Sequence, residues 1–391
     1  MKLRWFLSSA VRQASDMRKH VQKLLQSQRD ILSPQAISAV ETALKEMKAA
    51  IDGDANDAVL QKQMEALEKT ATKWIKPYPY AEWRDNVEVF LVAIVVAMAI
   101  RTFFLQPFKI PTGSMQPTLY GVTTKDFRGD PNFKMPGLMK RTYELLVHGR
   151  IYHQLIAPED GEIDTDRITR RPERFLHIFN RQTIWVRYAR NGEEVPLTIW
   201  CGPDDPAQQA RWLYQPCFFH KGDPILCFEE TTGDHLFVDR FTYNFRQPHR
   251  GEIIVFKTKG IEQIRDQDQF YIKRLIGLGG ETISIGEDRH ARIDGRRLDA
   301  STPHFENVYG FDPRSEPQDS RYSGHMLEEA SNLRTPQNTL KVDPGHFAVF
   351  GDNTSNSADS RYWGELPEEN VIGKSFFVYW PITSRFGWGQ E

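Results

Sequence analysis

The chain has 391 residues, 40% hydrophobic and 26% charged, with a formal net charge of -2. That length and balance fit two or three globular units rather than a disordered chain, and the near-neutral charge points away from a nucleic-acid partner. Twenty-three prolines, 26 glycines and 12% aromatic residues favour a β-rich body with many turns.

The 11 histidines lack the i, i+4 spacing of a metal site, so neither a metal nor another cofactor is expected. The 3 cysteines, Cys201, Cys217 and Cys227, lie close together and fit no zinc pattern. An odd count leaves at least one unpaired. One disulfide is open to them in an oxidising compartment; three packed thiols is the favoured reading.

Residues 1–76 read as a small helical bundle. Met17, Val21, Leu24 and Ile31 share one face, and Ser33-Pro34 supplies an N-cap and a first helical residue. Ile37, Val40, Leu44, Met47 and Ile51 then repeat at helical steps, with Gly53 placed to end the helix. Leu60, Met64, Leu67, Ala71 and Trp74 mark a third. Trp5-Phe6-Leu7 is too short for the apolar core of a secretory signal.

Residues 77–86 form a stiff aromatic linker of membrane-interface composition. The run 87–108 reads as one transmembrane helix: its uncharged core between Glu88 and Arg101 is short, but Arg101 can snorkel and Thr-Phe-Phe-Leu lengthens it. Lys69, Lys73, Lys76 and Arg84 before it outweigh Arg101 and Lys109 after it, which puts the N-terminus in the cytosol and the remainder outside.

Beyond Leu119 the chain turns β-like. Residues 183–189 and 195–200 flank an Asn-Gly turn and read as a hairpin. Further strands are expected at 234–241, 252–257, 269–278, 282–285, 291–293, 346–350 and 374–380, in antiparallel sheets or a distorted barrel. Gly277-Leu-Gly-Gly280 joins two strands, so it reads as a turn and not a phosphate cradle. Residues 301–342 show little periodicity and read as a surface excursion.

Two side chains carry candidate chemistry. Ser114 lies in Ile110-Pro-Thr-Gly-Ser-Met-Gln-Pro-Thr-Leu119, where two prolines and a glycine forbid a continuous helix. A hydroxyl needs a base to become a useful nucleophile. Lys273 lies inside the apolar strand Gln-Phe-Tyr-Ile-Lys-Arg-Leu-Ile-Gly277, on one side with Tyr271 and Leu275. Desolvation there would lower its pKa and leave some neutral amine at pH 7. The competing reading turns Arg274 inward and leaves Lys273 on an exposed edge; the strand alone favours this second reading. Gly351 to Gly364 is a polar loop of short hydrogen-bonding side chains, and its Asn-Thr-Ser triplet is an accidental glycosylation match.

In this order the segments resemble the bacterial type I signal peptidases, membrane-anchored Ser/Lys proteases. The likeness is carried by Arg101-Thr-Phe-Phe-Leu-Gln-Pro-Phe108, the Ser114 segment, Gly233-Asp-His-Leu-Phe-Val-Asp-Arg-Phe-Thr-Tyr243 with Arg250-Gly-Glu-Ile-Ile-Val-Phe256, Tyr271 to Ile283, and the Gly351–Gly364 loop with Gly373-Lys374. Beside the helical bundle and the membrane span read above, the resemblance implies a mainly β catalytic body, 109–120 and 233–391. It implies Ser114 as nucleophile and Lys273 as general base, Thr112 in the oxyanion hole, and Ser357 orienting the lysine. Asp352, Asp359 and Arg361 would brace the site.

The implied activity is removal of signal peptides from exported precursor proteins, at the bacterial cytoplasmic membrane, with the lipid bilayer as a partner. Three departures stand out. The N-terminal helical unit is unlike the membrane-hairpin start of well-known relatives. Gly279 and Glu281 replace a proline and an aspartate, a change in turn stiffness. Residues 121–232 form a β-containing insertion holding all three cysteines, which could be a lid, a substrate-guiding subdomain or a partner site. The alternatives are a soluble Ser/Lys self-cleaving regulator and a non-catalytic envelope protein on the same scaffold.

Overall fold

The computed structural model describes residues 8–53, 55–76, 81–164, 173–175, 179–201, 218–265, 267–310, 324–329 and 331–388. The chain falls into two compact units, Met1–Val95 and Val96–Glu391.

The first unit contains α1 (Ser9–Ser27), α2 (Pro34–Asp52) and α3 (Asp57–Trp74). Each starts at a side chain that accepts from its first turn: Ser8 from Val11 N–H, Ser33 from Ala36 N–H, Asn56 from Val59 N–H. Such a cap stabilises a helix by roughly 1 kcal/mol. Val21, Leu25, Val40, Leu44, Met47, Leu60 and Leu67 build the shared core. Ile31 does not join it, because α1 stops at Ser27 and leaves it 70% exposed.

Helix α4 (Ala81–Phe103) contains Trp83–Phe103, a stretch long and apolar enough to cross a membrane. Its bounds differ from the expected ones. The linker does not reach residue 86, since the helix has begun at Ala81; 77–80 lie outside the described residues. Leu105–Lys109 is a strand, although 105–108 was expected inside the span: Pro107 lacks the N–H that a helix interior needs.

In the second unit β1 (Leu105–Lys109) leads into the Ser114 loop. The insertion follows, with β2 (Thr123–Asp126), α5 (Leu138–His148), β3 (Arg150–Ile156), β4 (Gly161–Ile163), β5 (Glu173–Phe175), β6 (Phe179–Tyr188), β7 (Glu194–Cys201), β8 (Phe218–Phe219) and β9 (Pro224–Thr231). The body continues with β10 (His235–Asp239), β11 (Ile253–Lys257), β12 (Phe270–Gly277), β13 (Thr282–Ile285), β14 (Ala291–Ile293) and β15 (Arg296–Arg297). It closes with α6 (Glu306–Tyr309), β16 (Leu340–Lys341), β17 (His346–Phe350), α7 (Ser360–Trp363), β18 (Leu366–Pro367) and β19 (Val371–Trp380).

The main sheet is antiparallel, in the order β1-β10-β19-β11-β12-β17-β18. Register shifts between β10 and β19, β11 and β19, and β12 and β17 increase its local twist. Both faces are covered, as the run Ile253 to Phe256 requires. Ile253 and Val255 pack with Met115, Leu119, Leu236 and Val378; Ile254 and Phe256 pack with Leu275, Val349, Trp363 and Leu366. The Ser114 loop is therefore part of the core on one face.

A second sheet, β15-β14-β13-β16, sits over its own cluster. The described part of 301–342 is not merely a surface excursion. Phe305, Val308, Tyr309, Leu333 and Val342 are buried in that cluster, from short turns that carry no periodicity. At the β12–β13 turn Gly280 adopts φ +92, and Glu281 does more than alter stiffness: it accepts from Leu278 N–H at 2.7 Å and pairs with Arg250.

The insertion holds the expected Asn-Gly hairpin as β6 and β7, paired from Asn180↔Cys201 to Arg187↔Glu194. It also holds a β2-β9-β3 sheet and α5, none of which was anticipated. Cys227 is a buried free thiol on β9, and burial pushes its pKa up. Cys201 ends β7 and Cys217 lies outside the described residues.

Because Met115 is fully buried, Met115→Ala should lower unfolding free energy by about 2–5 kcal/mol in denaturant titration. An unchanged midpoint would contradict the loop's place in the core.

Candidate active site

Pro111, Gly113 and Pro117 interrupt regular structure after β1, and Gly113–Met115 makes a single 3-10 turn. The turn closes with Gln116 N–H to Gly113 C=O, so the Ser114 N–H is not consumed by it. Three glycines press on this loop, two of them far away in the chain. A Cβ on Gly233 would collide with the Ile110 carbonyl, one on Gly121 with the Thr112 backbone, and one on Gly351 with the Ser114 carbonyl and Ser357 Oγ. Ile110 N–H donates to Asp234 C=O at 2.9 Å, and the Asp234 carboxylate takes Tyr120 N–H at 2.7 Å and the Arg385 fork at 2.8 and 2.9 Å. The roots of the insertion thus fix the loop from both sides.

Lys273 stands on β12 opposite Ile254 of β11. Its Nζ lies 2.8 Å from Ser114 Oγ and 3.0 Å from the Ile272 carbonyl, and both Ser114 and Lys273 are only 5% exposed. Burial lowers the Lys273 pKa from its ordinary 10.5 to about 8, against the opposing pull of Asp359 and Asp352, and the Arg361 charge assists the lowering. Roughly a tenth of such an amine is neutral at pH 7. The ammonium donates to Oγ; the neutral amine offers a lone pair along the same line, toward which the hydroxyl can donate.

Arg274, the next residue, also faces inward and is 1% exposed. Its guanidinium makes a two-point contact with Asp352, Nε to Oδ1 at 2.8 Å and Nη2 to Oδ2 at 2.7 Å, and its Nη1 donates to Gly251 C=O. Thr118 Oγ1 donates to the same carboxylate. The two readings of this strand are therefore not exclusive: both cations are buried.

Asp359 and Arg361 form a second buried pair, Nε to Oδ1 at 2.9 Å and Nη2 to Oδ2 at 3.0 Å. Burial pushes the Asp359 pKa up, but the Arg361 charge and bonds from Arg361, Gly351 N–H and Ser357 hold it below the usual carboxylate range. Arg361 also donates to Thr354 Oγ1 and C=O. Ser357 differs from expectation: its hydroxyl donates to Asp359 Oδ2 at 2.7 Å, while the Lys273 bonds go to Ser114 and Ile272. Thr112 caps nothing and stays exposed on the turn, two residues before Ser114.

Sequence reasoning missed Asn353. Its N–H donates to Ser114 C=O at 3.0 Å and its Nδ2 to Gly113 C=O at 2.9 Å, tying the Gly351–Gly364 loop to the serine turn. Its neighbourhood to Asp352 was the only available signal. Glu328, 3.6 Å from Arg361 Nη1, lies in a stretch without a motif.

The family model of signal peptidase, peptidase S26, matches residues 83–126 and 229–380, leaving the insertion unmatched. A signal peptidase I of Leptolyngbya laminosa is 32% identical over 152 residues, which cover 38% of this chain and 62% of that protein. A signal peptidase I of Pseudomonas fluorescens is 30% identical over 181 residues, covering 38% and 60%. A probable signal peptidase I-2 of Synechocystis is 28% identical over 149 residues, covering 38% and 56%. The chain thus spans less than two thirds of the length of these relatives. The crystal structure of a signal peptidase I from Enterococcus faecalis is 27% identical, covers 33% of this chain and 97% of that one, and has a TM-score of 0.24.

Removing one partner of a buried ion pair strands the other charge. Asp352→Ala should therefore cost about 3–5 kcal/mol of stability, read by denaturant titration. A loss under 1 kcal/mol would contradict the pairing described.

Proposed function

The chain belongs to the signal peptidase family, peptidase S26, and on that premise we propose that it is a membrane-bound endopeptidase that removes signal peptides from exported precursors, with Ser114 and Lys273 as its catalytic dyad. The observation that carries the reading is the 2.8 Å approach of Lys273 Nζ to Ser114 Oγ at a site where both are buried.

In the proposed cycle the neutral Lys273 amine takes the Ser114 proton as Oγ attacks the scissile carbonyl carbon. The oxyanion forms against the Ser114 N–H and the Thr112 hydroxyl. The resulting ammonium gives its proton to the leaving nitrogen as the C–N bond breaks, which leaves an ester on Ser114. Water then attacks that ester; Lys273 takes the water proton and returns it to Oγ. Asp359–Arg361 and Asp352–Arg274 hold the surrounding loop, and Ser357 acts on the lysine through Asp359.

Substrate access follows from the chain's layout. Eleven residues at most about 3.6 Å long separate Phe103, the end of α4, from Ser114. A precursor held in the bilayer by its own apolar segment presents its small-residue cleavage site near that surface. Strand β1 lies at one edge of the main sheet, where an extended peptide can add as a further strand. The excess of basic residues on the N-terminal side of the span favours an N-terminus in the cytosol and a peptidase unit outside.

Full chain in detergent should cleave an exported precursor once, leaving a new N-terminus after a small residue. Ser114→Ala and Lys273→Met should each lower kcat/KM by at least about a thousandfold. Full activity in either variant, or cleavage at unrelated sites, would contradict the assignment. Because the lysine must lose its proton before it can act, kcat/KM should rise with pH through about 8. A profile already flat from pH 6 upward would contradict a lysine base.

A further inference from the structure

Helix α5 lies in the insertion, outside the residues matched by the family, and it is turned inside out. Its buried residue is Glu144, whose carboxylate meets Arg150 at 3.2 Å. Its apolar residues face away from the protein: Leu138, Met139, Tyr143, Leu145 and Leu146 are 78%, 89%, 56%, 40% and 68% exposed. At about 100° per residue these five fall in one sector of roughly 160°, and the exposed Lys140 and Arg141 project at its two borders. Leaving such a face in water is unfavourable, and nothing within the described residues covers it.

The helix is held rigidly in this orientation. Gly149 caps it in the left-handed conformation and accepts from Thr232 N–H at 2.9 Å, at the root of the insertion. Trp380 Nε1 donates to Leu146 C=O and Ile382 N–H to Val147 C=O, at 2.9 and 2.8 Å. The C-terminal segment reached by these bonds also exposes Ile382, Phe386 and Trp388.

An apolar stripe bordered by cations, on a chain that also carries a helix able to span a bilayer, matches a lipid interface. We propose that α5 lies in the headgroup–acyl boundary of the membrane, apolar face inward, with Lys140 and Arg141 reaching anionic headgroups. This rests on reading α4 as a membrane span. The helix gives the peptidase unit a second attachment beside that span. Through Gly149 and Thr232 the attachment connects to the backbone that clamps the Ser114 loop.

The test uses full chain reconstituted in phosphatidylethanolamine–phosphatidylglycerol vesicles, with the photoreactive residue benzoylphenylalanine replacing Met139 or, separately, Val96 of α4. After irradiation, the peptide carrying position 139 should gain the mass of one phospholipid, as should the peptide carrying position 96. Phospholipid at 96 but not at 139 overturns the inference and leaves the span standing. None at either position overturns the span and the inference together. A protein adduct at 139 in place of lipid assigns the face to a protein partner and overturns the inference.

Discussion

Three cations are buried within a short distance of one another, and their different fates organise the site. Arg274 and Arg361 each meet a carboxylate at two points, Asp352 and Asp359 respectively, so the cost of removing their charges from water is offset by close opposite charge. Among the described residues, Lys273 Nζ donates only to neutral oxygens, a serine hydroxyl and a backbone carbonyl. A buried ammonium without a carboxylate against it relieves the penalty by shedding its proton. Strand alternation makes this arrangement available, since neighbouring residues of β12 point to opposite sides and can be given opposite surroundings.

The serine turn must then be held where the amine is. Close backbone approach at Gly121, Gly233 and Gly351, the Asn353 bonds and the burial of Met115 and Leu119 together fix it. These contacts come from before the insertion, after it, and the C-terminal loop. The insertion can therefore be long without displacing the nucleophile: its two ends are joined at Asp234 and Tyr120, and the extra residues grow outward from that closed base.

How much of this was legible in the sequence depended on how local each cause was. The helix cap at Ser33, the β6–β7 hairpin and the strands around Lys273 follow from neighbouring residues, and their positions agree closely with expectation. Strand β9 was missed because Ile225 to Phe228 is buried continuously and shows no alternation. Helix α5 was missed for the reverse reason, since its polar residue points inward. Asn353, Gly233 and Gly351 act across long stretches of chain, and no local pattern marks a residue whose role is to let another backbone come close. Ser357 lay in a recognisable loop, but the partner chosen by its hydroxyl was not readable there.

The account depends most on the protonation of a single amine. The direct measurement is a pH titration of the Lys273 ε-carbon by NMR in lysine-labelled full chain, assigned by its loss in Lys273→Met. The structure predicts a midpoint of about 8, well below that of surface lysines. A midpoint at or above the ordinary 10.5 would show an ammonium unable to take a proton from Ser114, and would contradict the central claim.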